Sequence, residues 1–330
     1  MRILIIQTAF IGDVVLATAL VEQLRRCHAD AEIDFLLRRG NEGLVGGHPH
    51  IRNLLVWDKK QHKYAGLFRL LGQIRRTRYD WVINCQRFAA SGLLTAFSGA
   101  KHTTGFDKNP FSVFFTRQVK HVIGNSKSPV HEVERNLALI AHLGNGGFDR
   151  PKLYPAAVDR QKAQALADGM PYVCMAPTSV WFTKQWPAHK WAQLAAQMAS
   201  THRIFLLGGK ADEQDCEAIR QSSGRPEAVI NMAGQLSFLE SAALIERAAM
   251  TYANDSAPVH IASAVNAPVT AVFCSTVPAF GFSPLSDRSY VAETAAPLKC
   301  RPCGLHGLKR CPEGHFACAE GIDPGVLPRP

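Results

Sequence analysis

The chain has 330 residues, 47% of them hydrophobic and 19% charged, with a formal net charge of +10. That is ample for a large buried core and is most naturally read as two domains. No apolar run approaches the length of a membrane span. Residues 1–6 start like a secretory leader, but Gln7, Asp13 and Glu22 interrupt it, which points to a cytoplasmic protein.

Strand and helix patterns alternate from the beginning. Residues 3–6 read as a buried strand and residues 14–26 as an amphipathic helix. Between them lies Gln7-Thr8-Ala9-Phe10-Ile11-Gly12-Asp13. Gly12 permits a tight turn there. Asp13 at the helix mouth is either an N-cap or a carboxylate placed at a strand end, able to act as a general base. The glycines of a dinucleotide fingerprint and the lysine of a P-loop are both missing.

Strands follow at residues 32–37 and 53–57, then a helix with Leu67, Leu70, Leu71 and Ile74 as its apolar stripe, then a strand at 81–84. Residues 1–150 hold 21 Lys/Arg against 12 Asp/Glu, a net of +9; residues 151–330 hold 16 against 15, a net of +1. The excess gathers in Lys59, Lys60, Lys63, Arg69, Arg75, Arg76, Arg78 and Arg87, with Asp80 the single acid among them. Such a run is a solvated helix face, and it is also a field that attracts an anionic macromolecule, an anionic lipid or a phosphorylated substrate. No nucleic-acid motif accompanies it, which ranks nucleic acid below a small or lipid-linked anion. Loose docking to an anionic membrane surface stays open.

Residues 144–151 are rich in turn formers and mark a linker between domains 1–150 and 151–330. Beyond it the strands fall at 172–176, 203–207, 250–253 and 268–273, with helices at 191–200, 212–222, 238–247 and 259–265. Repeated βαβ units imply an α/β protein of two doubly wound, Rossmann-like parallel-sheet domains, facing across a cleft, with ligands outside the carboxyl ends of the strands. After the strand at 172–176, Thr178 and Ser179 bring hydroxyls and Lys184 a point charge suited to a phosphate, although a loop lysine is usually only surface. Gly208-Gly209 lets a ligand approach the backbone. Asn231-Met232-Ala233-Gly234 leads to a capping box of Ser237 and Glu240. Asn254-Asp255-Ser256-Ala257-Pro258-Val259-His260 then turns a strand directly into a small-residue helix. The first-turn N–H groups make an anion site there, unless Asp255 or Ser256 merely caps them.

Nine cysteines in such a compartment argue for free thiols or metal rather than disulfides. Cys27, Cys85, Cys174, Cys216 and Cys274 sit in apolar contexts and read as packing residues. Cys300, Cys303, Cys311 and Cys318 have the look of a small zinc knuckle or of a loop of reduced thiols, and neither reading is catalytic. The tail beyond Cys318 is Pro- and Gly-rich and reads as loosely held.

The ordered set Gly12-Asp13, Thr183-Lys184-Gln185-Trp186-Pro187, Gly208-Gly209, Asn231-x2-Gly234 and Asn254-Asp255-Ser256-Ala257-x2-His260 resembles glycosyltransferase family 9, the heptosyltransferases of lipopolysaccharide core assembly. The resemblance runs from residue 3 to about residue 273 and implies the GT-B fold. It implies transfer of heptose from ADP-heptose to the inner core, with inversion and without metal or other cofactor. Carried over, Asp13 is the base for the acceptor hydroxyl, and Lys184, with Thr178 and Ser179, holds the donor diphosphate. Gly208 and Gly209 join the donor site, and Asp255, Ser256, Ala257 and His260 cradle diphosphate and sugar. The basic residues Lys59, Lys60, Lys63 and Arg87 then face an anionic, lipid-linked saccharide acceptor, with peripheral contact at the cytoplasmic face of the inner membrane. Rival readings are a nucleotide-sugar epimerase of the same architecture, separated by whether ADP is released on mixing donor and acceptor, and a basic nucleic-acid-binding protein, separated by salt-dependent oligonucleotide binding.

Overall fold

Residues 1–61, 63–144 and 146–330 are described by the structure, a computed structural model, with the side chain of Lys63 outside that description. Among the described residues the chain divides between Tyr154 and Pro155 into two units.

In the first unit the order is β1 (Arg2–Ile6), α1 (Ile11–Cys27), β2 (Glu32–Arg38), α2 (Glu42–Val45), β3 (Ile51–Trp57), α3 (Lys63–Thr77), β4 (Trp81–Asn84), α4 (Ala89–Ala96), β5 (His102–Phe106), β6 (Arg117–Val119) and α5 (Glu132–Ala138). The strands pair in parallel in the order β3-β2-β1-β4-β5-β6. The run Ile3 to Ile6 shows no alternation because β1 is central and covered on both faces. Leu4, Ile6 and Leu36 pack with Leu67, Leu70 and Ile74 of α3, the stripe legible in the sequence. Helix α1 is buried on nearly all sides from Val14 to Leu24. It even buries Glu22, whose carboxylate meets His48 Nε2 and Lys152 Nζ, each at 3.3 Å, and accepts the Tyr154 hydroxyl at 2.9 Å.

The segment expected as a linker stays with this unit, and Asn145 within it lies outside the described residues. Asp149 pairs with Arg26 at 2.8 Å, and the Lys152 N–H donates to Thr18 Oγ1 at 2.9 Å.

The second unit comprises α6 (Ala157–Ala167), β7 (Tyr172–Ala176), α7 (Ala188–Met198), β8 (Arg203–Leu206), α8 (Glu213–Ser222), β9 (Val229–Asn231), α9 (Phe238–Glu246), β10 (Met250–Asn254), α10 (Ala257–Ala264), β11 (Val269–Phe273), β12 (Ser289–Glu293) and α11 (Ala317–Glu320). Its parallel sheet runs β12-β11-β10-β7-β8-β9, the same winding order as the first. Each sheet therefore reverses its winding once, between β1 and β4 in the first unit and between β7 and β10 in the second. In open α/β sheets that switch point is where ligands bind.

The tail corrects the sequence expectation. Cys318, Ala319, Ile322 and Leu327 join Trp186, Trp191 and Val173 in the second core, and the Tyr252 hydroxyl donates to the Pro328 carbonyl at 2.7 Å. Sparse apolar residues among prolines and glycines give no periodicity, yet they are enough to anchor the segment.

Candidate active site

At the switch point of the first unit the chain leaves β1 through Gln7-Thr8-Ala9 and enters α1 at Ile11. Asp13 occupies the first turn, and its carboxylate accepts the Phe10 N–H at 3.2 Å, so it helps to form the turn that presents it. The loops on either side of the reversal are tied to one another. Gln86, after β4, bonds Gln7, and Asn109 Nδ2 holds the Gln86 and Phe88 carbonyls at 3.0 and 3.1 Å. Arg87 belongs to that same loop and is half-buried. Lys59 leans over the Trp57 ring, 4.8 Å from its centroid, and donates to the Thr8 carbonyl at 2.7 Å, which brings its charge to the β1 loop. Lys60 is exposed, on a turn held by the Asp58 carboxylate at 3.0 Å. The side chain of Lys63 lies outside the described residues.

One pair escaped the sequence reading. Glu132 and Arg135 at the start of α5 are both buried, with Glu132 Oε2 accepting from Arg135 Nε at 2.7 Å and lying 2.5 Å from Nη2. Burial pushes the Glu132 carboxyl up, Arg135 opposes that, and the negative charge of Asp13 pushes it further, leaving it above the ordinary carboxylate range. A buried ion pair thus stands within electrostatic reach of Asp13 and Arg87. Its signal in the sequence, a Glu and an Arg three apart in a short helix, is indistinguishable from a surface pair.

In the second unit, two adjoining strands supply the site. After β7 the loop carries Thr178, Ser179 and Lys184; after β10 the chain turns through Asp255 into α10. Asn254, fully buried, fastens one loop to the other: its Nδ2 donates to the Pro177 carbonyl at 2.7 Å and its Oδ1 accepts the Trp186 N–H at 2.9 Å. Lys184 Nζ lies 2.7 Å from Asp255 Oδ2, which also accepts the Thr276 hydroxyl at 2.5 Å. The lysine side chain is only 16% exposed and the aspartate 5%, so this is a held cation rather than a surface one. Both contacts fall on one oxygen of the Asp255 carboxylate, which ties the β7 loop to the turn before α10.

Ser256 occupies the N-cap position of α10 in an extended conformation, yet its hydroxyl bonds the Asn254 carbonyl at 3.2 Å. Ser256 thus makes no side-chain capping bond to the first turn of α10. Ala257 opens the helix, and Pro258 falls where no intrahelical N–H is needed. His260 is buried, its ring centroid 6.0 Å from that of Phe282. Gly208 and Gly209 follow β8, the neighbour of β7, where the Gly209 N–H donates to the Asp212 carboxylate at 2.7 Å and the Gly208 carbonyl accepts from Gly234 at 2.9 Å.

The cysteine-bearing segment has an unexpected place. Leu308 exchanges two hydrogen bonds with Thr183: its N–H to Thr183 Oγ1 at 2.7 Å, and its carbonyl from the Thr183 N–H at 3.1 Å. Phe316 stacks on Phe182 with ring centroids 5.1 Å apart. Arg301 donates to the carbonyls of Cys274 and Thr276, each at 2.7 Å, and to Phe273 at 3.1 Å. The segment therefore roofs the residues on either side of Lys184. Its four cysteines are free thiols, and among the described residues no set of three or more metal-ligating side chains is gathered around one point.

The sequence profile described as Glycosyltransferase family 9 (heptosyltransferase) matches residues 67–306 of this chain. Lipopolysaccharide heptosyltransferase 3 of Escherichia coli is 29% identical over 280 residues, covering 81% of this chain and 82% of that protein. Lipopolysaccharide heptosyltransferase 1 of Pseudomonas aeruginosa is 26% identical over 325 residues, covering 92% and 86%. Among solved structures, E. coli ADP-heptose lps heptosyltransferase II superposes with a TM-score of 0.78 at 21% identity over 92% of this chain and 96% of that one, a likeness of fold.

Proposed function

Because the chain belongs to glycosyltransferase family 9, the heptosyltransferases, and has their GT-B fold, we propose that it transfers heptose from ADP-heptose to the lipopolysaccharide inner core, by inversion and without a metal. The observation that carries the reading is Lys184, held at the switch point of the second sheet by Asp255, which Thr276 holds in turn, beside the first turn of α10.

In such a reaction an alcohol attacks the anomeric carbon, the bond to the nucleoside diphosphate breaks, and negative charge grows on the departing phosphate. Lys184 meets that charge as an ammonium, Thr178, Ser179 and Ser256 as hydroxyl donors, and the Ala257 end of α10 with backbone N–H groups. Gly208 and Gly209 border the nucleotide on the turn after β8, and His260 borders the sugar. Asp13 takes the proton of the attacking hydroxyl. Lys59, Lys60, Lys63 and Arg87 match an acceptor bearing phosphates and acidic sugars rather than nucleic acid. That acceptor is lipid-linked, which places the enzyme at the cytoplasmic face of the inner membrane, in contact with its anionic surface.

Asp13→Asn tests the base assignment: the variant keeps its melting temperature and nucleotide-sugar affinity while transfer, followed as ADP release, falls by at least about 10²-fold. Turnover near that of the unaltered protein defeats the assignment and leaves Asp13 only the turn at Phe10.

A further inference from the structure

One part of the first unit's surface is neither polar nor scattered. Helix α3 buries Leu67, Leu70 and Ile74 and shows a different side to solvent, where Phe68 is 62% exposed and Arg75, seven residues on, shares its stripe. The far end of that stripe reaches the turn after α4: a Cβ added to Gly99 meets Arg75 Cγ at 3.9 Å. Two residues before Gly99 stands Phe97, 46% exposed, its ring 6.1 Å from Phe111 and 6.2 Å from Phe114. Phe111 and Phe114 are 6.3 Å apart, Phe114 is 62% exposed, and its neighbour Val113 is 73% exposed. Exposed apolar residues on a soluble protein are normally single, whereas contiguous ones mark an interaction surface.

Charge decides what this surface fits. Arg75, Arg76, Arg78, Lys108 and Arg117, from α3 and the segments flanking the patch, are all exposed. Exposed Phe and Val among a surplus of Lys and Arg, on a unit of strongly positive net charge, is the composition of a face that lies in a lipid interface. There the apolar side chains enter the acyl boundary and the cations meet lipid phosphates. Phe97 is also set apart from the reaction. Helix α4 starts beyond the carboxyl end of β4 and runs back along the sheet, so Phe97 at its far end lies away from the strand ends that carry Asp13 and Arg87.

We propose that this face seats the first unit on an anionic phospholipid bilayer, with Phe97, Val113 and Phe114 in the interface, Arg75 on the lipid phosphates and Phe68 two turns further along the same stripe of α3. The proposal rests on the reading of a lipid-linked acceptor at a membrane surface and names the side chains that make the contact.

The test is flotation of the full chain with vesicles of phosphatidylcholine alone and of phosphatidylcholine mixed with phosphatidylglycerol, with no saccharide present. The unaltered chain should float with the mixed vesicles, weakly with the neutral ones, and less as salt rises. The pair Phe97→Ser and Phe114→Ser should weaken that binding by about tenfold to a hundredfold, since burying each ring is a favourable transfer. The pair should also keep its melting temperature and its turnover on a deacylated, water-soluble acceptor. Arg75→Glu, which touches no ring, should lose the preference for anionic vesicles.

If the serine pair floats like the unaltered chain, the patch is wrong while membrane contact stands. If the unaltered chain floats with neither vesicle, both fall, and turnover on the soluble acceptor still judges the enzyme reading separately. Loss of that turnover in a folded serine pair overturns the proposal by making the patch part of the reaction. Self-association or oligonucleotide binding that the serine pair abolishes, in place of vesicle binding, overturns it in favour of another occupant.

Discussion

Gly307 offers a direct test of whether the cysteine-bearing segment governs Lys184. Its φ is +79°, and a Cβ added there would lie 2.9 Å from Lys184 Cγ, 3.1 Å from Thr183 Oγ1 and 3.2 Å from Trp181 Cβ. Two separate penalties act on Gly307→Ala. The left-handed backbone costs an alanine about 1–2 kcal/mol. Crowding against Lys184 near its backbone end, where the side chain cannot swing away, adds about 1–3 kcal/mol. Some of this relaxes as the loop shifts, so about 2–4 kcal/mol is expected, a fall of roughly 5–10 °C in the melting of the second unit. Gly304→Ala separates the two terms, because Gly304 has nearly the same φ, +72°, but nothing within 4 Å of the added Cβ. It should cost only the backbone term, about 1–2 kcal/mol, with unchanged transfer. Gly307→Ala, by displacing the lysine, should also lower heptose transfer by about tenfold, less than outright loss of a charge donor. Scanning calorimetry and steady-state ADP release read both effects. Equal destabilisation of the two variants with full activity in both would refute the contact between segment and lysine.

The pair beneath that contact gives a second expectation. Asp255→Ala should remove about 2–3 kcal/mol of stability, toward the low end for a broken buried pair because Lys184 can still reach water, and should cut transfer about 10²-fold. Lys184→Met should cost similar turnover, and the double variant little more than either, as a double-mutant cycle would read. The first unit carries its own pH response. Burial, then the charges of Arg87 and Arg135, pull His121 from 6.5 down to about 4, so the fold holds it neutral. Unfolded chains take up that proton first, so its contribution is complete above 6.5 and is lost as the pH falls toward about 4. Melting curves across that interval should be flatter for His121→Phe than for the unaltered chain.

What the sequence disclosed follows from burial. Central strands such as β1, β7 and β10 are covered on both faces and appear as short apolar runs, and the turns that leave them carried the motifs. Strand β5, His-Thr-Thr-Gly-Phe, buries its threonines and reads as a loop, because its polarity is satisfied locally: the Thr103 N–H donates to Thr116 Oγ1 at 2.8 Å. Strand β12 lies at a sheet edge, is largely exposed and left no pattern. At the site, residue types announced Asp13, Lys184 and Asp255 one by one. That Lys184 rests on Asp255, and that Glu132 and Arg135 are buried near Asp13, are facts of chain reversal that no spacing in a single sequence records.

The anchoring of residues 318–327 in the second core bears on how the protein is made. Synthesis proceeds from the amino end, so the whole first unit has emerged from the ribosome, free to close around its own sheet, while much of its partner is still unmade. The second unit is denied that freedom. Trp186, Trp191 and Val173 wait for Ile322 and Leu327 before their core is complete, and Lys184 waits for Gly307 and Leu308 before its roof exists. During that interval a nascent chain presents half-covered apolar strands, the state most prone to aggregation and most in need of a chaperone. Interrupted synthesis or proteolysis before residue 307 should therefore yield a folded first unit attached to a second that holds neither its core nor its lysine in place. A fragment of that kind keeps the basic face and Asp13 but not an ordered Lys184.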